Sequence, residues 1–433
     1  MPFPPSPFLN NSLPDHNHVH NSPSPLADTF VTETLESQQK TVEECDSVIV
    51  NGYLPLLKRQ QHRDYITVPF ETSLPEHFVT LDASHPWLFY WPLTSLSIQS
   101  PDALTADIKS RVWPSVAACW NDTDGGFGGG FGQTAHLAPT YASLNSLAIS
   151  DDQTAWSRID RVKVYDFILS LKRADGSFVM HDGGESDTRA AYTAVASGAL
   201  LDLLTPELVG GVAEWVGRCQ TYEGGLGGAP GNEAHGGYTF CGIAALCIVG
   251  DPKVTIKTHI DVDRLIRWMT ARQYQPEGGF SGRTNKLVDG CYSGWIGATW
   301  AILDGVLGLS SSSLWSKPDL QKFALSCCQG AKGGMRDKPG KNPDQYHTCY
   351  NSVGLSVIQH RYAFLPSLRE NRLNEWSFMW EYAPEEDHVV SVRVQDAVEP
   401  INPVHMLPWG AGEKMHDFFA SQVNLSSLRI HEL

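Results

Sequence analysis

A glycine-rich turn recurs five times along the chain, and this repeat limits the possible folds more than any other feature of the sequence. Each turn holds one hydrophobic residue among or beside its glycines, and these residues are Phe127, Phe178, Leu226, Phe280 and Met335. The intervals between them run from 48 to 55 residues. A period near 50 residues over five units predicts an array of structural repeats.

Helical patterns fill the intervals between the turns. Amphipathic segments precede the turns at 160–173, 206–219, 261–274 and 318–329. Segments that follow the turns, such as GGYTFCGIAALCIVG, are apolar nearly all round, which is typical of buried helices. This alternation predicts an open solenoid or a closed α/α barrel, and we favour the barrel, an all-α fold of inner and outer helices. A propeller of similar period would need strand alternation, which the sequence lacks.

Composition excludes several classes of protein. With 433 residues and 42% hydrophobic content, the chain can bury a large core. A formal net charge of -16 argues against nucleic-acid binding, because phosphate-neutralising surfaces need an excess of Lys and Arg. Nine cysteines, scattered through apolar segments, indicate reduced thiols and a cytoplasmic location. No run approaches the roughly 20 apolar residues of a membrane span, so none is predicted.

The chain divides into three predicted parts. Residues 1–26 are rich in Pro, Ser and Asn and are predicted to be a disordered tail that carries no secretion signal. Residues 27–361 contain the repeats and are predicted to form the barrel. Residues 362–433 are less periodic, and we expect a C-terminal extension that packs on the barrel or contacts a partner.

The stretch KLVDGCYSGW, residues 286–295, places the carboxylate of Asp289 two residues before the thiol of Cys291. In a closed barrel, residues at matching distances after successive turns become neighbours, so these two side chains and His347 can meet. A carboxylate, a thiolate and an imidazole form a plausible Zn²⁺ set with a fourth position left open, as in catalytic zinc sites. The alternative is a helix-capping Asp289 beside an ordinary buried thiol.

A basic cluster lies close to the same stretch. It consists of His235, Arg283, Lys286 and Tyr292. Near the positive ends of inner helices, these groups would attract an anion such as a diphosphate. The alternative is that Arg283 and Lys286 pair with surface acids, as most isolated basic residues do.

Aromatic residues recur at or near the starts of the inner helices. They are Trp87, Trp91, Tyr141, Tyr192, Tyr238 and Trp295. For any one of them, a packed core is the ordinary interpretation. An apolar pocket at the barrel mouth becomes preferable because cations and metal ligands are predicted at its rim.

Five segments resemble the β subunits of the protein farnesyltransferase family. They are LDASHPWLFYW, HLAPTYASLNSL, EAHGGYTFCGIAAL, EGGFSGRTNKLVDGCYSGW and DKPGKNPDQYHTCYNSVGLSVIQH, and they span roughly residues 75 to 360. The fold of that family is an α/α barrel, which agrees with the barrel predicted from the repeats.

The resemblance implies a role for each of these positions. Asp289, Cys291 and His347 match the family's zinc ligands, and His235, Arg283, Lys286 and Tyr292 match its diphosphate binders. Trp87, Tyr141, Arg189, Tyr192, Tyr238, Cys241 and Trp295 match positions that line the isoprenoid channel. Trp91 and Tyr346 match positions near the C-terminal aliphatic residues of the peptide substrate, and Asp337 matches the acid associated with Mg²⁺.

The activity implied by the resemblance is transfer of a farnesyl group from farnesyl diphosphate to the cysteine of a C-terminal CaaX motif, in proteins such as small GTPases. It implies one Zn²⁺ per heterodimer, Mg²⁺ with the diphosphate, and an obligate α subunit. The type I geranylgeranyl enzymes, which also resemble the chain, have a small residue in place of Trp87 and a lysine in place of Asp337. These two positions favour farnesyl.

The chain departs from the family pattern at two positions. Gly294 replaces an aromatic residue, which we expect to enlarge a corner of the peptide pocket, and Ser177 replaces a glycine in the second turn.

Other α/α barrels hydrolyse glycosides or cyclise terpenes, but the paired carboxylates or aspartate-rich motif they need do not stand out. A helical-repeat scaffold with a structural metal is the non-enzyme alternative.

Overall fold

The structure, a computed structural model, describes residues 31–50, 53–309, 314–370 and 372–422. The predicted N-terminal tail, 1–26, lies outside the described residues, as does the end of the predicted C-terminal extension, 423–433.

Helices dominate the part of the chain that the structure describes. The helices are α1 (Glu33–Asp46), α2 (Arg59–Glu71), α3 (Trp87–Gln99), α4 (Ala106–Ala117), α5 (Leu137–Ser150), α6 (Gln153–Trp156), α7 (Arg161–Ser170), α8 (Thr188–Leu200), α9 (Pro206–Val209), α10 (Val212–Arg218), α11 (Gly236–Val249), α12 (Pro252–His259), α13 (Val262–Thr270), α14 (Tyr292–Leu307), α15 (Lys317–Ser326), α16 (Gln345–Gln359) and α17 (Ala411–Ala420). Short 3₁₀ helices lie at Glu76–Leu81, Pro101–Ala103, Trp376–Phe378 and Val394–Asp396.

Six of these helices form a closed inner ring. In order around the ring they are α3, α5, α8, α11, α14 and α16, each packed on the next. Helix α16 also packs on α3, so the first and last members of the ring are neighbours. That contact distinguishes a barrel from an open solenoid, and it confirms the predicted α/α barrel. Helices such as α4 and α10 cover the ring from outside.

Three of the five glycine turns are attached to the following inner helix by the same hydrogen bond. The backbone N–H groups of Phe127, Leu226 and Met335 each donate to a threonine hydroxyl 13 residues later, at 2.9 to 3.0 Å. All five hydrophobic turn residues are buried. Each turn is therefore anchored in the barrel wall, and the residues between turn and helix are held at one end of the barrel.

Strands are few and short in the described part of the chain. They are β1 (Trp120–Asn121), β2 (Gly126–Phe127), β3 (His360–Phe364), β4 (Trp380–Pro384), β5 (Ile401–Asn402) and β6 (Leu407–Pro408). They pair antiparallel as β1–β2, β3–β4 and β5–β6. None belongs to the ring, in agreement with the absence of strand alternation in the sequence.

Residues after the ring pack against the barrel. Helix α17 contacts α5 and α8, and strand β3 contacts α14. The buried ammonium of Lys317 pairs with Glu385 at 2.5 Å and donates to the carbonyl of Val357 at 3.2 Å. The segment between β5 and β6 closes one end of the barrel, where the hydroxyl of Tyr192 donates to the carbonyl of Val404 at 2.9 Å.

One outer helix differs from its prediction. The segment 206–219 forms two short helices, α9 and α10, because Gly210 and Gly211 separate them. Gly211 has φ +79°, a left-handed conformation that an α-helix interior does not contain. The other three predicted outer helices form within a few residues of their expected bounds.

All nine cysteines are buried and none forms a disulfide, as the sequence predicts. Within the described ranges, no helix is both long enough and apolar enough to cross a bilayer.

Small residues allow α14 and α16 to approach closely. A Cβ atom at Gly294 would lie 2.8 Å from the carbonyl oxygen of Tyr350 on α16, and one at Gly354 would lie 2.4 Å from the Cβ of Ser293. The expectation that Gly294 enlarges a peptide pocket is therefore wrong. The backbone of the neighbouring helix α16 occupies the space that a side chain at position 294 would fill.

We predict that Gly294→Ala destabilises the protein by about 1–3 kcal/mol, because the new methyl group overpacks a rigid helix contact. Urea unfolding of the purified protein measures this. Gly297→Ala on the same helix is the matched control, since its Cβ would meet only Val357, at 3.6 Å. That control is expected to be neutral or stabilising by up to about 1 kcal/mol. Equal effects of the two variants would contradict the packing argument.

Candidate functional site

Three predicted metal ligands meet at the mouth of the barrel. Asp289 and Cys291 lie just before α14, and His347 lies in the first turn of α16, the next helix of the ring. One ligand atom from each, a carboxylate oxygen, the Sγ and an imidazole nitrogen, all lie within 4.8 Å of one another. The Nε2 of His347 is 3.3 Å from the Oδ1 of Asp289. The trio is a candidate metal site, as the sequence predicted.

Asp289 makes two contacts at once. Its Oδ1 accepts a hydrogen bond from the backbone N–H of Cys291 at 2.8 Å, but Cys291 is itself the N-cap of α14 and no side chain caps that helix, so the capping alternative does not describe Asp289. The same carboxylate faces His347. The hydrogen bond from Cys291 holds the carboxylate in the turn before α14, and this local contact is compatible with metal binding.

The protonation states of the trio depend strongly on one another. Burial and the nearby carboxylate of Asp289 raise the pKa of the Cys291 thiol well above its usual value. Burial alone would lower the pKa of His347, but hydrogen bonds to Asp289 and Asp344 outweigh it and raise that pKa to about 9. When no metal ion is bound, the raised pKa of His347 keeps its imidazole protonated at neutral pH, and the charged ring pairs with the carboxylate of Asp289. A metal ion bound by the trio would displace the protons of the Cys291 thiol and the His347 imidazole, so metal binding would release protons.

Asp344, which the sequence reasoning missed, orients the histidine. It is the N-cap of α16, where its Oδ1 accepts from the backbone N–H of His347 at 2.7 Å. Its Oδ2 lies 2.6 Å from the Nδ1 of His347. Imidazole ligands of metals usually donate their second ring N–H to such a carboxylate, which fixes the tautomer. An aspartate three residues before the histidine, at a helix start, was the available signal.

The predicted anion-binding residues lie beside the metal trio. The Nε2 of His235 is 3.0 Å from the hydroxyl of Tyr292, and its Nδ1 accepts from the backbone N–H of Gly237. The Nε2 therefore carries the proton of the neutral ring. Burial and the guanidinium of Arg283 lower the pKa of His235 to about 4, so the ring is a neutral donor at pH 7.

A glycine makes room for this pair. A Cβ atom at Gly282 would lie 1.9 Å from the ring of Tyr292, so any other residue in the turn would displace the tyrosine.

The two basic side chains of the cluster differ in their surroundings. Arg283 is half-exposed and pairs with Glu233 at 3.2 Å. The alternative that this arginine pairs with a surface acid is therefore what the structure shows. Lys286 is exposed, and its side chain makes no ion pair or hydrogen bond with the residues that the structure describes. Its ammonium is therefore available to an incoming anion without breaking an existing contact.

Asp337, the predicted magnesium-associated acid, lies close to the trio. Its carbonyl accepts from the backbone N–H of Gly290 at 2.7 Å, and its carboxylate pairs with the adjacent Lys338. Burial, together with the charge of Asp289, raises the pKa of Asp337. A buried carboxylate beside another negative charge is stabilised by a nearby cation. The ammonium of Lys338, a residue that the sequence reasoning missed, is that cation.

A cavity of about 540 Å³ extends from this cluster into the barrel. All seven side chains predicted to line an isoprenoid channel face it, namely Trp87, Tyr141, Arg189, Tyr192, Tyr238, Cys241 and Trp295. His235 and Arg283 of the anion cluster also line it. The cavity thus joins a polar, cation-lined rim to an aromatic interior.

Arg189 lines the cavity but is about half exposed to solvent, and its charge is paired. Its guanidinium contacts the Asp187 carboxylate at 2.6 Å and lies over the ring of Tyr238, 5.5 Å from the centroid. Hydrogen bonds to Asp187 raise the pKa of Arg189. The sequence reasoning missed Asp187, the N-cap of α8, as it missed Tyr350, which lines the cavity and stacks on Trp295 at 4.1 Å.

The two predicted peptide-contacting residues meet edge to face. The rings of Trp91 and Tyr346 are 5.6 Å apart, and both line the cavity. They also border a second, largely apolar groove of about 590 Å³ that includes Tyr65 and Leu88. The hydroxyl of Tyr346 accepts from the indole N–H of Trp295 at 3.1 Å.

Comparison with known proteins explains why these features occur together. Residues 57–407 match the prenyltransferase alpha-alpha toroid domain. The chain belongs to the prenyltransferase family. The enzyme class predicted from the motifs is thereby confirmed, since membership makes the chain part of a prenyl-transferring enzyme rather than a helical scaffold.

Relatives and solved structures agree with this assignment. The chain is 36% identical to the protein farnesyltransferase subunit beta of Pyricularia oryzae, covering 96% of this chain and 86% of that one. It is 39% identical to the subunit of the same name from Schizosaccharomyces pombe, covering 90% and 98%. The structure of Candida albicans protein geranylgeranyltransferase-I complexed with GGPP matches with a TM-score of 0.62 at 18% identity, covering 84% and 99%, and supports the fold.

In this prenyltransferase we predict that Asp344→Asn lowers the affinity for Zn²⁺ by about 10-fold or more, because the His347 imidazole loses the carboxylate that orients it. Asparagine still caps a helix, so α16 should remain intact. Competition with a chelating dye measures the affinity. The matched control is Asp261→Asn at the N-cap of α13, on the outer layer. Unchanged zinc affinity in Asp344→Asn would show that the contact is only structural.

Proposed function

We propose that this chain is the β subunit of a protein farnesyltransferase. In this proposal it transfers farnesyl from farnesyl diphosphate to the cysteine of a C-terminal CaaX motif, in proteins such as small GTPases. The observation that carries the proposal is the continuity of the site. A candidate metal trio, an anion-binding cluster and an aromatic cavity adjoin one another, in the order that a thiol, a diphosphate and an isoprenoid would require.

The trio fits Zn²⁺. Zinc bonds of about 2.0–2.1 Å to nitrogen and oxygen, arranged as a tetrahedron, separate neighbouring ligand atoms by about 3.3 Å. The separation between the Nε2 of His347 and the Oδ1 of Asp289 is 3.3 Å. Three protein ligands leave one position for the substrate thiol. Bound zinc would keep that thiol as a thiolate near neutral pH, where a free thiol is mostly protonated.

The chain's own residues would hold the leaving diphosphate. The neutral His235 and the hydroxyl of Tyr292 offer uncharged donors, while Arg283 and Lys286 offer charged ones. Donors aimed at a developing anion stabilise the transition state more than the ground state. Mg²⁺ at the diphosphate would be held by Asp337, after its carboxylate leaves Lys338. No side-chain general base is needed, because the attacking sulfur is already deprotonated.

The isoprenoid would lie in the aromatic cavity. Trp87, at the first turn of α3, packs against Tyr141 with ring centroids 6.1 Å apart and narrows the space. A pocket of limited length discriminates between chains that differ by one isoprene unit. Trp91 and Tyr346 would contact the peptide's aliphatic residues, which is supported by their position on the border between the cavity and the neighbouring groove.

The remaining proposals concern organisation. We infer an obligate α subunit, supported by the names of the relatives, and a cytoplasmic location, supported by nine unpaired buried cysteines. The proposed extents stay a disordered tail at 1–26, a barrel at 27–361 and an extension at 362–433. Helix α1 precedes the alternating helices and contacts the start of the glycine turn around Phe280, since Gln38 donates to Glu277 at 2.6 Å.

We predict that the chain co-expressed with a matching α subunit binds one zinc ion per heterodimer and transfers farnesyl in preference to geranylgeranyl. Elemental analysis and transfer to a CaaX peptide measure these properties. Cys291→Ala should lose both, because it removes the sulfur ligand. Geranylgeranyl preference with zinc bound would assign the chain to the type I geranylgeranyl enzymes. Absence of both zinc and transfer would refute the proposal.

We predict that Lys286→Ala raises the Kd for farnesyl diphosphate by about 10-fold, because a charge-assisted contact to a phosphate is lost. The melting temperature should not change, since the side chain makes no contact that stabilises the fold. Lys257→Ala on outer helix α12 is the control, an exposed lysine outside the site. Equal affinity for both variants would exclude Lys286 from the diphosphate site.

A further inference from the structure

A carboxylate lies among the basic residues of the proposed diphosphate site. The Oε2 of Glu233 accepts a hydrogen bond from the Nη1 of Arg283 at 3.2 Å, and the two side chains are 52% and 41% exposed. Burial is the main cause of the low pKa of His235, and among the charges near its ring Arg283 lowers that pKa while Glu233 raises it. A negative charge therefore stands where an anion is proposed to bind.

The loop that carries Glu233 is attached to the loop that carries the arginine. The backbone N–H of His235 donates to the carbonyl of Leu226 at 2.9 Å, which closes the first loop onto its own glycine turn. The N–H of Gly236 donates at 2.9 Å to the carbonyl of Gly282, the residue immediately before the arginine. The pairing thus follows from the backbone of two adjacent repeats, not from a chance meeting of two surface side chains.

The pair leaves most of the guanidinium unoccupied. An arginine side chain has five N–H donors. Only the Nη1 of Arg283 makes a hydrogen bond with a residue that the structure describes. Arg283 lines the cavity, whereas Glu233 does not, so the carboxylate approaches the guanidinium from outside the cavity. An anion in the cavity and Glu233 would share one cation.

We propose that Glu233 acts through Arg283 as a positioning residue that weakens the binding of diphosphate and speeds release of the inorganic diphosphate product. This role rests on the proposed function and deepens it. The carboxylate offers the guanidinium a second partner and repels a nearby anion, so both effects lower affinity for diphosphate. Farnesyl diphosphate is also held by its apolar chain in the cavity. After transfer the diphosphate lacks that chain, and only the basic cluster retains it.

The substitution Glu233→Gln removes the charge and keeps the shape. The amide oxygen of glutamine still accepts from the Nη1 of Arg283, so the hydrogen bond can persist. We expect the Kd for inorganic diphosphate to fall by about 5-fold, the upper end of the effect of an exposed ion pair. The gain in affinity should shrink as salt is added, because exposed charges are screened. A purely structural effect would not depend on salt in this way.

The experiment uses the heterodimer with a matching α subunit at constant Mg²⁺ concentration. Titration calorimetry gives the Kd for inorganic diphosphate and for farnesyl diphosphate in wild type and Glu233→Gln, and melting temperature checks folding. Glu386→Gln is the matched control, because Glu386 pairs with Arg361 at similar exposure in the predicted C-terminal extension and does not line the cavity. That control should leave both Kd values unchanged.

A double-mutant comparison tests the route through the arginine. In an Arg283→Ala background, Glu233→Gln should change the Kd for inorganic diphosphate by less than about 2-fold, because the shared cation is gone. A full 5-fold fall in that background would contradict action through Arg283 and leave only direct repulsion.

The outcomes separate this role from the proposed function. An unchanged or higher Kd in folded Glu233→Gln protein overturns the role, because the carboxylate then has no effect or orients the arginine for the anion. A wild-type heterodimer that binds diphosphate but transfers no farnesyl refutes the proposed function, while the Kd values still decide the role of Glu233. A wild type that binds neither diphosphate refutes both.

Discussion

Burial of the hydrophobic residue in each glycine turn, reinforced at three of the five turns by a hydrogen bond to the inner helix that follows, determines where the functional side chains lie. Phe127, Leu226 and Met335 are buried in the wall and donate to threonines 13 residues further on. The short segment between turn and helix therefore cannot slide along the barrel. Because the ring closes through α3 and α16, these segments meet around one opening, and the positive ends of the inner helices point into it.

The proposed anion site is compatible with an acidic protein because the charges around it are arranged locally. Near the opening, Arg283 pairs with Glu233, Arg189 with Asp187 and Lys338 with Asp337. These pairs neutralise the basic side chains, and a bound anion would have to compete with the acidic partners for them. Neutral donors such as His235 need no such partner, since burial keeps their pKa low. The formal net charge of -16 thus excludes an extended phosphate-binding surface but allows a small anion pocket.

Much of the site could be predicted from the sequence because residues at matching distances after successive turns come close together in a closed ring of repeats. Asp289, Cys291 and His347 lie far apart in the chain, but at matching distances after neighbouring turns, and they come within 4.8 Å. The supporting acids were harder to recognise. Asp344 and Asp187 resemble ordinary helix caps, and their contacts with His347 and Arg189 depend on side-chain direction. The packing at Gly294 was misjudged, because a missing side chain indicates space without showing which neighbour fills it.

What the amino-acid sequence determined is local or periodic: the helices, the turns, the buried faces and the set of residues that face the mouth. These follow from hydrophobic spacing and glycine placement, which act over a few residues. The tertiary structure decided what depends on contacts between distant segments. Closure of the ring, the close approach of α14 and α16, and the hydrogen bond from Tyr192 to Val404 join residues far apart in the chain. No periodic pattern encodes such contacts, because they depend on how the packed layers fill space.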